Sequence, residues 1–178
     1  VFATLTGDYT TTSTNNTYGI LVKQVTDGFS YNKIKTIQTI VGTYTTTSDA
    51  TIDSGVSGVK QIDSYGTVRE SKTLGQSGKD YNASSKVFAT LTGDYTTTST
   101  NNDFGILTKQ VTDGLSYNKV AGVQTTVGSY NTTSDAAIDS GIVDPLDSTK
   151  YLKQIDPYGT VRESITLGKS GKDYNAVS

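Results

Sequence analysis

Four aspartates in two copies of one segment are the residues best suited to binding a cation. Asp49 and Asp53 lie four residues apart, and Asp135 and Asp139 repeat that spacing later in the chain, shortly before Asp144. Carboxylate oxygens are ligands that Ca²⁺ prefers, but the ion takes six to eight oxygens, and the spacing here differs from that of an EF-hand loop. We therefore expect these aspartates to form turns by accepting hydrogen bonds from nearby backbone N–H groups, with a calcium site as the alternative.

Residue types that commonly act in catalysis are scarce. The chain has no His and no Cys, so the commonest general base and the thiolate nucleophile are both missing. Glu70 and Glu163 are its only glutamates, and each follows an arginine in the segment GTVRES, where surface or cross-strand ion pairing is the expected role. A glycosidase would need a second carboxylate beside each of them. We expect no enzymatic activity, no cofactor and no resident metal.

Tyrosines that begin threonine-rich segments are the candidates for contacting a partner. Tyr9 and Tyr44 start such segments in the first half of the chain, and Tyr95 and Tyr130 stand at the equivalent positions in the second half. In one interpretation these segments are exposed loops whose amphipathic rings form a platform for a sugar or a protein. In the other they are edge strands that pair through ladders of threonine. Both interpretations stay open.

The composition predicts the elements that position these residues. Val, Ile and Thr make up about a third of the 178 residues, and Thr alone contributes 32 of them. Because β-branched and aromatic residues fit a pleated, half-buried surface, we expect an all-β fold. The net charge of −2 leaves no basic surface for nucleic acid. No apolar run reaches the roughly 20 residues that span a bilayer, so we expect no membrane partner.

The chain contains an internal duplication. Residues 1–55 match residues 87–141 at 43 of 55 positions, and residues 60–85 match residues 153–178 at 22 of 26. Between these blocks the second copy is seven residues longer, in a loop over residues 142–152 that includes Asp144 and Tyr151. Two repeats of this length predict two tandem domains, residues 1–86 and residues 87–178, with a swapped or shared-sheet arrangement of the two copies as the alternative. The longer loop is a candidate contact that belongs to the second domain alone.

Turn signals divide each repeat into short strands. The dipeptide Asp-Gly at residues 27–28, repeated at 113–114, predicts a type I′ hairpin turn, because both central residues of that turn have positive φ. Residues 63–66 read DSYG and residues 156–159 read DPYG, which is typical of a type I turn. Six or seven short strands in each repeat favour a small β-sandwich, of which the immunoglobulin-like topology is one form, and a small barrel is the alternative.

These observations favour a non-catalytic structural protein that assembles with itself or docks on a larger assembly. In style the chain resembles the small β-sandwich decoration proteins of tailed-phage particles, and that resemblance implies an accessory protein of the virion. One alternative is a secreted adhesin or extracellular filament subunit that assembles by pairing of edge strands. Another is a carbohydrate-binding module. The expected partners are therefore proteins or further copies of the chain, with a glycan as a further candidate, on a virion surface or outside the cell.

Overall fold

A computed structural model describes residues 5–171, which contain ten β-strands. None of these residues lies in a helix long and apolar enough to cross a membrane. The prediction of an all-β fold is confirmed. The strands are β1 (Gly7–Asn15), β2 (Leu21–Ile34), β3 (Ile37–Asp49), β4 (Glu70–Asn82), β5 (Val87–Asn101), β6 (Leu107–Val120), β7 (Val123–Asp135), β8 (Asp139–Asp144), β9 (Asp147–Lys153) and β10 (Ile165–Ser170).

Eight of these strands form one antiparallel sheet in the order β1-β2-β3-β4-β5-β6-β7-β10. Strands that follow one another in the chain are neighbours in the sheet, except that β8 and β9 form a separate hairpin between β7 and β10. Each repeat contributes four strands, because β5, β6, β7 and β10 are the copies of β1, β2, β3 and β4. The sheet therefore consists of two copies of a four-stranded up-and-down meander, placed side by side.

The two repeats join through β4 and β5. These strands pair from Glu70 opposite Thr100 to Asn82 opposite Val87. The boundary between the repeats, after Lys86, lies in the turn that connects them. Because backbone pairing of the sheet continues across this boundary, the predicted arrangement of two tandem sandwich domains, immunoglobulin-like or otherwise, is not confirmed.

One face of the sheet carries a row of threonines, one from each of the eight strands, which we call the Thr row. Hydroxyl groups in this row pair across neighbouring strands at 2.8 to 2.9 Å. Such pairs satisfy polar groups on a half-exposed sheet surface and stabilise the pairing of the strands. The threonine-rich segments therefore lie in strands that pair through threonine ladders. The edge position expected for them is wrong for three of the four, because β3, β5 and β7 lie inside the sheet and only β1 is an edge strand. The members of the row are Thr11, Thr26, Thr46, Thr73, Thr97, Thr112, Thr132 and Thr166.

The hairpin turn predicted from the Asp-Gly dipeptides is wrong. Residues 27–28 lie inside β2, and residues 113–114 lie inside β6. The first hairpin turns instead at Lys35-Thr36, where Lys35 has a φ of 59°, and the second turns at Ala121-Gly122. Both residues of the dipeptide have a role within the strand: Asp27 accepts a hydrogen bond from the Thr45 hydroxyl at 2.6 Å, and the glycine makes room for an aromatic ring, as described below.

A buried polar network closes one end of the sheet in the first repeat. Beside the buried Ile62, the Gln61 amide donates to Glu70 Oε1 at 3.2 Å and accepts from the Asp49 N–H at 3.2 Å. Glu70 Oε2 accepts from the Gly55 N–H at 2.7 Å. Buried polar groups are costly unless they are hydrogen-bonded, and here each is. Glu70 is a buried acceptor, so the surface ion pair predicted for it is wrong.

The second repeat builds the same network. Ile155 is buried, Gln154 donates to Glu163 Oε2 at 3.2 Å, and Glu163 Oε1 accepts from the Gly141 N–H at 3.1 Å. The turns that follow the two networks are confirmed, because Gly66 donates to the Asp63 carbonyl at 3.0 Å and Gly159 donates to that of residue 156 at 2.9 Å. Because the network has the same hydrogen bonds in both repeats, the longer loop of the second repeat does not disturb it.

The additional residues of the second repeat lengthen a hairpin that the first repeat holds in a shorter form. Asp53 and Lys60 form an isolated antiparallel bridge in the first repeat. Their copies, Asp139 and Lys153, pair with each other at the open end of the β8–β9 hairpin, where Asp139 begins β8 and Lys153 ends β9. The seven extra residues extend this hairpin away from the eight-stranded sheet.

An aromatic cluster strengthens the junction of the repeats. The rings of Tyr81 in β4 and Phe88 in β5 have centroids 5.1 Å apart, and Phe29 in β2 meets Tyr81 at 5.9 Å with an edge-to-face geometry. Phe88 is buried, which is uncommon for a large side chain in this open sheet. Aromatic pairs of this kind contribute about 0.5–1.5 kcal/mol beyond the area that they bury.

Candidate functional site

The two aspartates of the first repeat that were considered as calcium ligands, Asp49 and Asp53, form ion pairs with different lysines. Asp49 Oδ2 lies 3.0 Å from Lys23 Nζ, and its Oδ1 accepts from the N–H of Thr51 at 2.9 Å and from the hydroxyl of Thr51 at 2.7 Å. The Thr51 hydrogen bonds, with help from Lys23, lower the pKa of Asp49 to about 2. Asp53 instead pairs with Lys60 Nζ at 2.6 Å. Asp49 closes a turn, as the sequence predicted.

The second repeat uses its candidates in the same way. Asp135 lies 3.2 Å from Lys109 Nζ, and Asp139 lies 2.8 Å from Lys153 Nζ. A hydrogen bond from the N–H of Ala137 is the main cause of the lowered pKa of Asp135. Within residues 5–171, no three acidic side chains come together as a metal site would require. The arrangement ties strand ends to the connecting loops.

The four tyrosines singled out from the sequence lie in one row across the whole sheet. In this row tyrosines on alternate strands face glycines on the strands between them, so we call it the Tyr–Gly row. Neighbours in the row are directly paired residues on adjacent strands, so all members lie on one face of the sheet. Each member is two residues from a member of the Thr row on the same strand, so this is the face that carries the Thr row. The order is Tyr9, Gly28, Tyr44, Gly75, Tyr95, Gly114, Tyr130 and Gly168.

Three of the rings lie over the glycine of the preceding strand. A Cβ atom added to Gly28 would overlap the ring of Tyr44, and one added to Gly114 would overlap the ring of Tyr130. The third ring, that of Tyr95, covers Gly75 and so spans the junction between the repeats. Covering a strand glycine with a cross-strand aromatic ring restores the side-chain packing that the glycine lacks.

The ends of the row differ from its middle. Tyr9 is 71% exposed, whereas the other three tyrosines are half-buried. At the other end, the atoms nearest to a Cβ added at Gly168 are the Ser129 carbonyl oxygen at 3.1 Å and Tyr130 Cβ at 3.4 Å, rather than ring atoms. Within residues 5–171, one edge of the sheet therefore presents a tyrosine without a glycine beneath it, and the opposite edge presents a glycine without a ring above it.

The environment of the row also affects ionisation. Burial raises the pKa of Tyr95, and the neighbouring phenols Tyr130 and Tyr44 add to that rise. Tyr95 therefore keeps its hydroxyl neutral to a higher pH than a free tyrosine does. This side chain packs as a neutral ring at the repeat junction.

The opposite face holds an open groove of about 950 Å³ over β4, β5, β6, β7 and β10. Its lining includes Asp94, Asp113, Asn131 and Lys169. Asp113 accepts from Asn131 Nδ2 at 2.7 Å, and Asp94 accepts from the Tyr117 hydroxyl at 2.8 Å. These carboxylates already join neighbouring strands.

The remaining candidates, Asp144 and Tyr151, lie on the β8–β9 hairpin. Asp144 Oδ1 accepts from the N–H of Leu146 at 2.9 Å and so shapes the hairpin turn. Tyr151 faces Val143 across the hairpin and is 55% exposed. The structure thus separates these two residues from the Tyr–Gly row.

We predict that Gly114→Ala destabilises the protein, because the new methyl group collides with the Tyr130 ring. Overpacking of this kind costs about 1–3 kcal/mol in free energy of unfolding. The matched control is Gly171→Ala, since a Cβ there meets no heavy atom within 4 Å among the described residues. Urea unfolding measures both variants. Equal stability of the two would contradict the role assigned to the ring.

We also predict that acid weakens the fold through its paired carboxylates. The pKa of Asp49 is about 2 in the folded chain, and that of Asp135 is lowered, against an ordinary value near 3.9. A lowered folded-state pKa stabilises the protein above the unfolded pKa, and that stabilisation disappears as the pH falls from about 4 through the folded value. Asp49→Asn should reduce stability at pH 7 and should flatten the loss between pH 4 and pH 2. Urea unfolding at each pH tests this, and an unchanged pH dependence in the variant would refute it.

Comparison with known proteins adds no relative to this description. No protein-family model, no curated protein and no solved structure matches this chain. The function is therefore argued from the geometry of the chain itself.

Proposed function

We propose that the chain is a non-catalytic structural protein whose repeats add strands to one continuous sheet, and that it assembles with further copies as a subunit of an extracellular filament or adhesin. The observation that carries this proposal is the pairing of β4 with β5, which joins two repeats by the same kind of strand pairing that holds each repeat together. A unit joined in this way is suited to extension by further units.

The two edges of the sheet favour such growth. Edge strands are usually protected by proline, by several charges or by being very short. Neither β1 nor β10 contains proline, and each carries a single charged residue, Asp8 in β1 and Lys169 in β10. Exposed edges of this kind bind further strands through backbone hydrogen bonds.

The face of the sheet that carries the Thr row suits a surface that stays in water. The face with the Thr row consists mainly of Thr, Ser, Gly and Tyr, and few described apolar side chains are fully buried. Strand pairing and hydroxyl ladders therefore contribute a larger share of the stability than in a protein with a deep core. A protein built in this way gains stability by adding strands at its edges.

Sedimentation of the purified chain over a range of concentrations, combined with electron microscopy, tests the proposal. We expect concentration-dependent, elongated assemblies of the chain alone. A single monomeric species at every concentration would contradict self-assembly.

A second candidate function, docking on a larger assembly such as a phage particle, is favoured by the β8–β9 hairpin. The hairpin exposes apolar side chains away from the main sheet: Leu146 is 95% exposed, and Ile142, Val143 and Tyr151 are also exposed. Exposed apolar residues that cluster on one element are typical of a contact with another protein. The first repeat is seven residues shorter here, and the exposed Val56, the copy of Ile142, is what it has in place of this surface.

Replacing residues 142–152 with the shorter segment VSGV of the first repeat tests the docking candidate. The variant should keep its circular dichroism spectrum and its self-assembly, because the buried network around Gln154 has the same form in the shorter repeat. Binding to particles purified from the source material should be lost. Undiminished binding by the variant, or absence of binding by the unaltered chain, would contradict docking through the hairpin.

A further inference from the structure

We propose that strand β10 of one copy pairs with strand β1 of a second copy in the register that joins β4 to β5. This inference rests on the proposed function, because it specifies how self-assembly occurs. It assigns the partner as a second copy of this chain and the contact as head-to-tail pairing of opposite sheet edges.

The internal junction supplies the template. Strands β4 and β5 pair antiparallel, with Lys72 opposite Thr98 and Ser77 opposite Gly93. Transferring this register through the duplication places β10 against β1 of the next copy. The pairing then runs from Ile165 opposite Thr12 to Ser170 opposite Gly7.

The residues of the two edges are close copies of those at the junction. Strand β1 (Gly7–Asn15) is identical to residues 93–101 of β5, and β10 (Ile165–Ser170) matches residues 72–77 of β4 at four of six positions. Strands with the same sequence present the same backbone and side chains to a neighbour. Strand β10 can therefore pair with β1 of a second copy as β4 pairs with β5 within the chain.

The Tyr–Gly row provides a specific side-chain contact for this pairing. In the proposed register Tyr9 of the second copy faces Gly168, as Tyr95 faces Gly75 within the chain. The ring of Tyr95 covers Gly75, while no ring of the described residues covers Gly168 and Tyr9 is the most exposed tyrosine of the row. The junction therefore places the exposed tyrosine over the uncovered glycine and continues the row from one copy to the next.

Charge complementarity points the same way. At the internal junction Gln76 faces Asp94, but the copy of Gln76 in β10 is Lys169. In the proposed register Lys169 faces Asp8 of the second copy, so a neutral residue opposite an aspartate becomes a lysine opposite an aspartate. Opposite charges directly across a pair of strands stabilise the pairing, and like charges destabilise it.

One internal contact has no counterpart between copies, and this offers a test by gain of affinity. Arg69 forms an ion pair with Asp103 across the internal junction. The copies of these residues are Arg162 and Thr17, so the pair is missing at the proposed junction. Thr17→Asp should restore it, and aspartate suits this turn because the second repeat already carries it there.

Cysteine cross-linking tests the register directly, because the chain contains no cysteine of its own. A Thr12→Cys variant mixed with an Ile165→Cys variant should form a disulfide-linked dimer, since directly opposed residues in paired strands meet the geometry of a disulfide. Lys72→Cys with Thr98→Cys in one chain calibrates the yield at the internal junction. Thr10→Cys mixed with Ile165→Cys is the out-of-register control.

The outcomes separate this inference from the proposed function. A cross-link from Thr12→Cys to Ile165→Cys several-fold above the out-of-register control supports the junction. Assembly without that preference, or a Thr12→Cys variant that cross-links mainly to itself through two β1 edges, overturns the junction and leaves self-assembly in place. A chain that stays monomeric and yields no intermolecular cross-link overturns both.

Association affinity gives a second measurement that does not depend on cysteine. Thr17→Asp should tighten assembly about two- to fivefold, the effect of one exposed ion pair, whereas Thr17→Asn should leave it unchanged. Combining Thr17→Asp with Arg162→Gln should cancel the gain. Tightening that survives the loss of Arg162 would contradict the proposed contact.

Discussion

The covering of a strand glycine by a tyrosine ring from the next strand is the interaction on which the rest of this structure depends. It occurs within each repeat and again between the repeats, where Tyr95 lies over Gly75. Because each ring needs a glycine directly opposite, a slip of one residue between the strands would place the ring against a side chain instead. The row therefore sets the register of the sheet as well as filling its surface.

A sheet with few buried apolar residues needs other interactions to stabilise and align its strands. The Thr row supplies paired hydroxyls, and the aromatic cluster of Phe29, Tyr81 and Phe88 supplies apolar contact near the junction. At one end of each repeat, Gln61 and Gln154 hold a glutamate and a loop together inside a buried network. These hydroxyl ladders and buried networks occur in each repeat of the sequence. Their contribution to the stability of the sheet therefore grows with the number of repeats rather than with the size of a hydrophobic core.

Much of the fold could be predicted from composition and repetition, and the errors have physical causes. β-Branched residues indicated strands, and the aspartates of the DSYG and DPYG segments indicated turns. The Asp-Gly dipeptides were misread because glycine serves two purposes in sheets, positive φ in turns and space for a neighbouring ring, and a single strand shows no difference between them. The signal that distinguishes the two lies on the partner strand, in Tyr44 and Tyr130.

The site was predicted in part. Tyr9, Tyr44, Tyr95 and Tyr130 were recognised as related, but their alignment in one row, and the glycines between them, depend on pairing between strands that are distant in sequence. Glu70 was expected at the surface, because nothing near it in the sequence reveals the loop that buries it. The difference between Gln76 and Lys169 was visible in the duplication, but it acquires meaning only in the proposed register, where Asp8 of a second copy lies opposite Lys169 as Asp94 lies opposite Gln76.

The most direct test of the account is the NMR chemical shift of the glycine α-protons in the monomeric chain. Protons beneath an aromatic ring are shifted upfield by the ring current, so Gly28, Gly75 and Gly114 should all show upfield α-proton shifts, with contacts to the ring protons of Tyr44, Tyr95 and Tyr130. Gly168, over which no ring of the described residues lies, should not. An unshifted Gly75 without a contact to Tyr95 would contradict the continuous sheet across the two repeats.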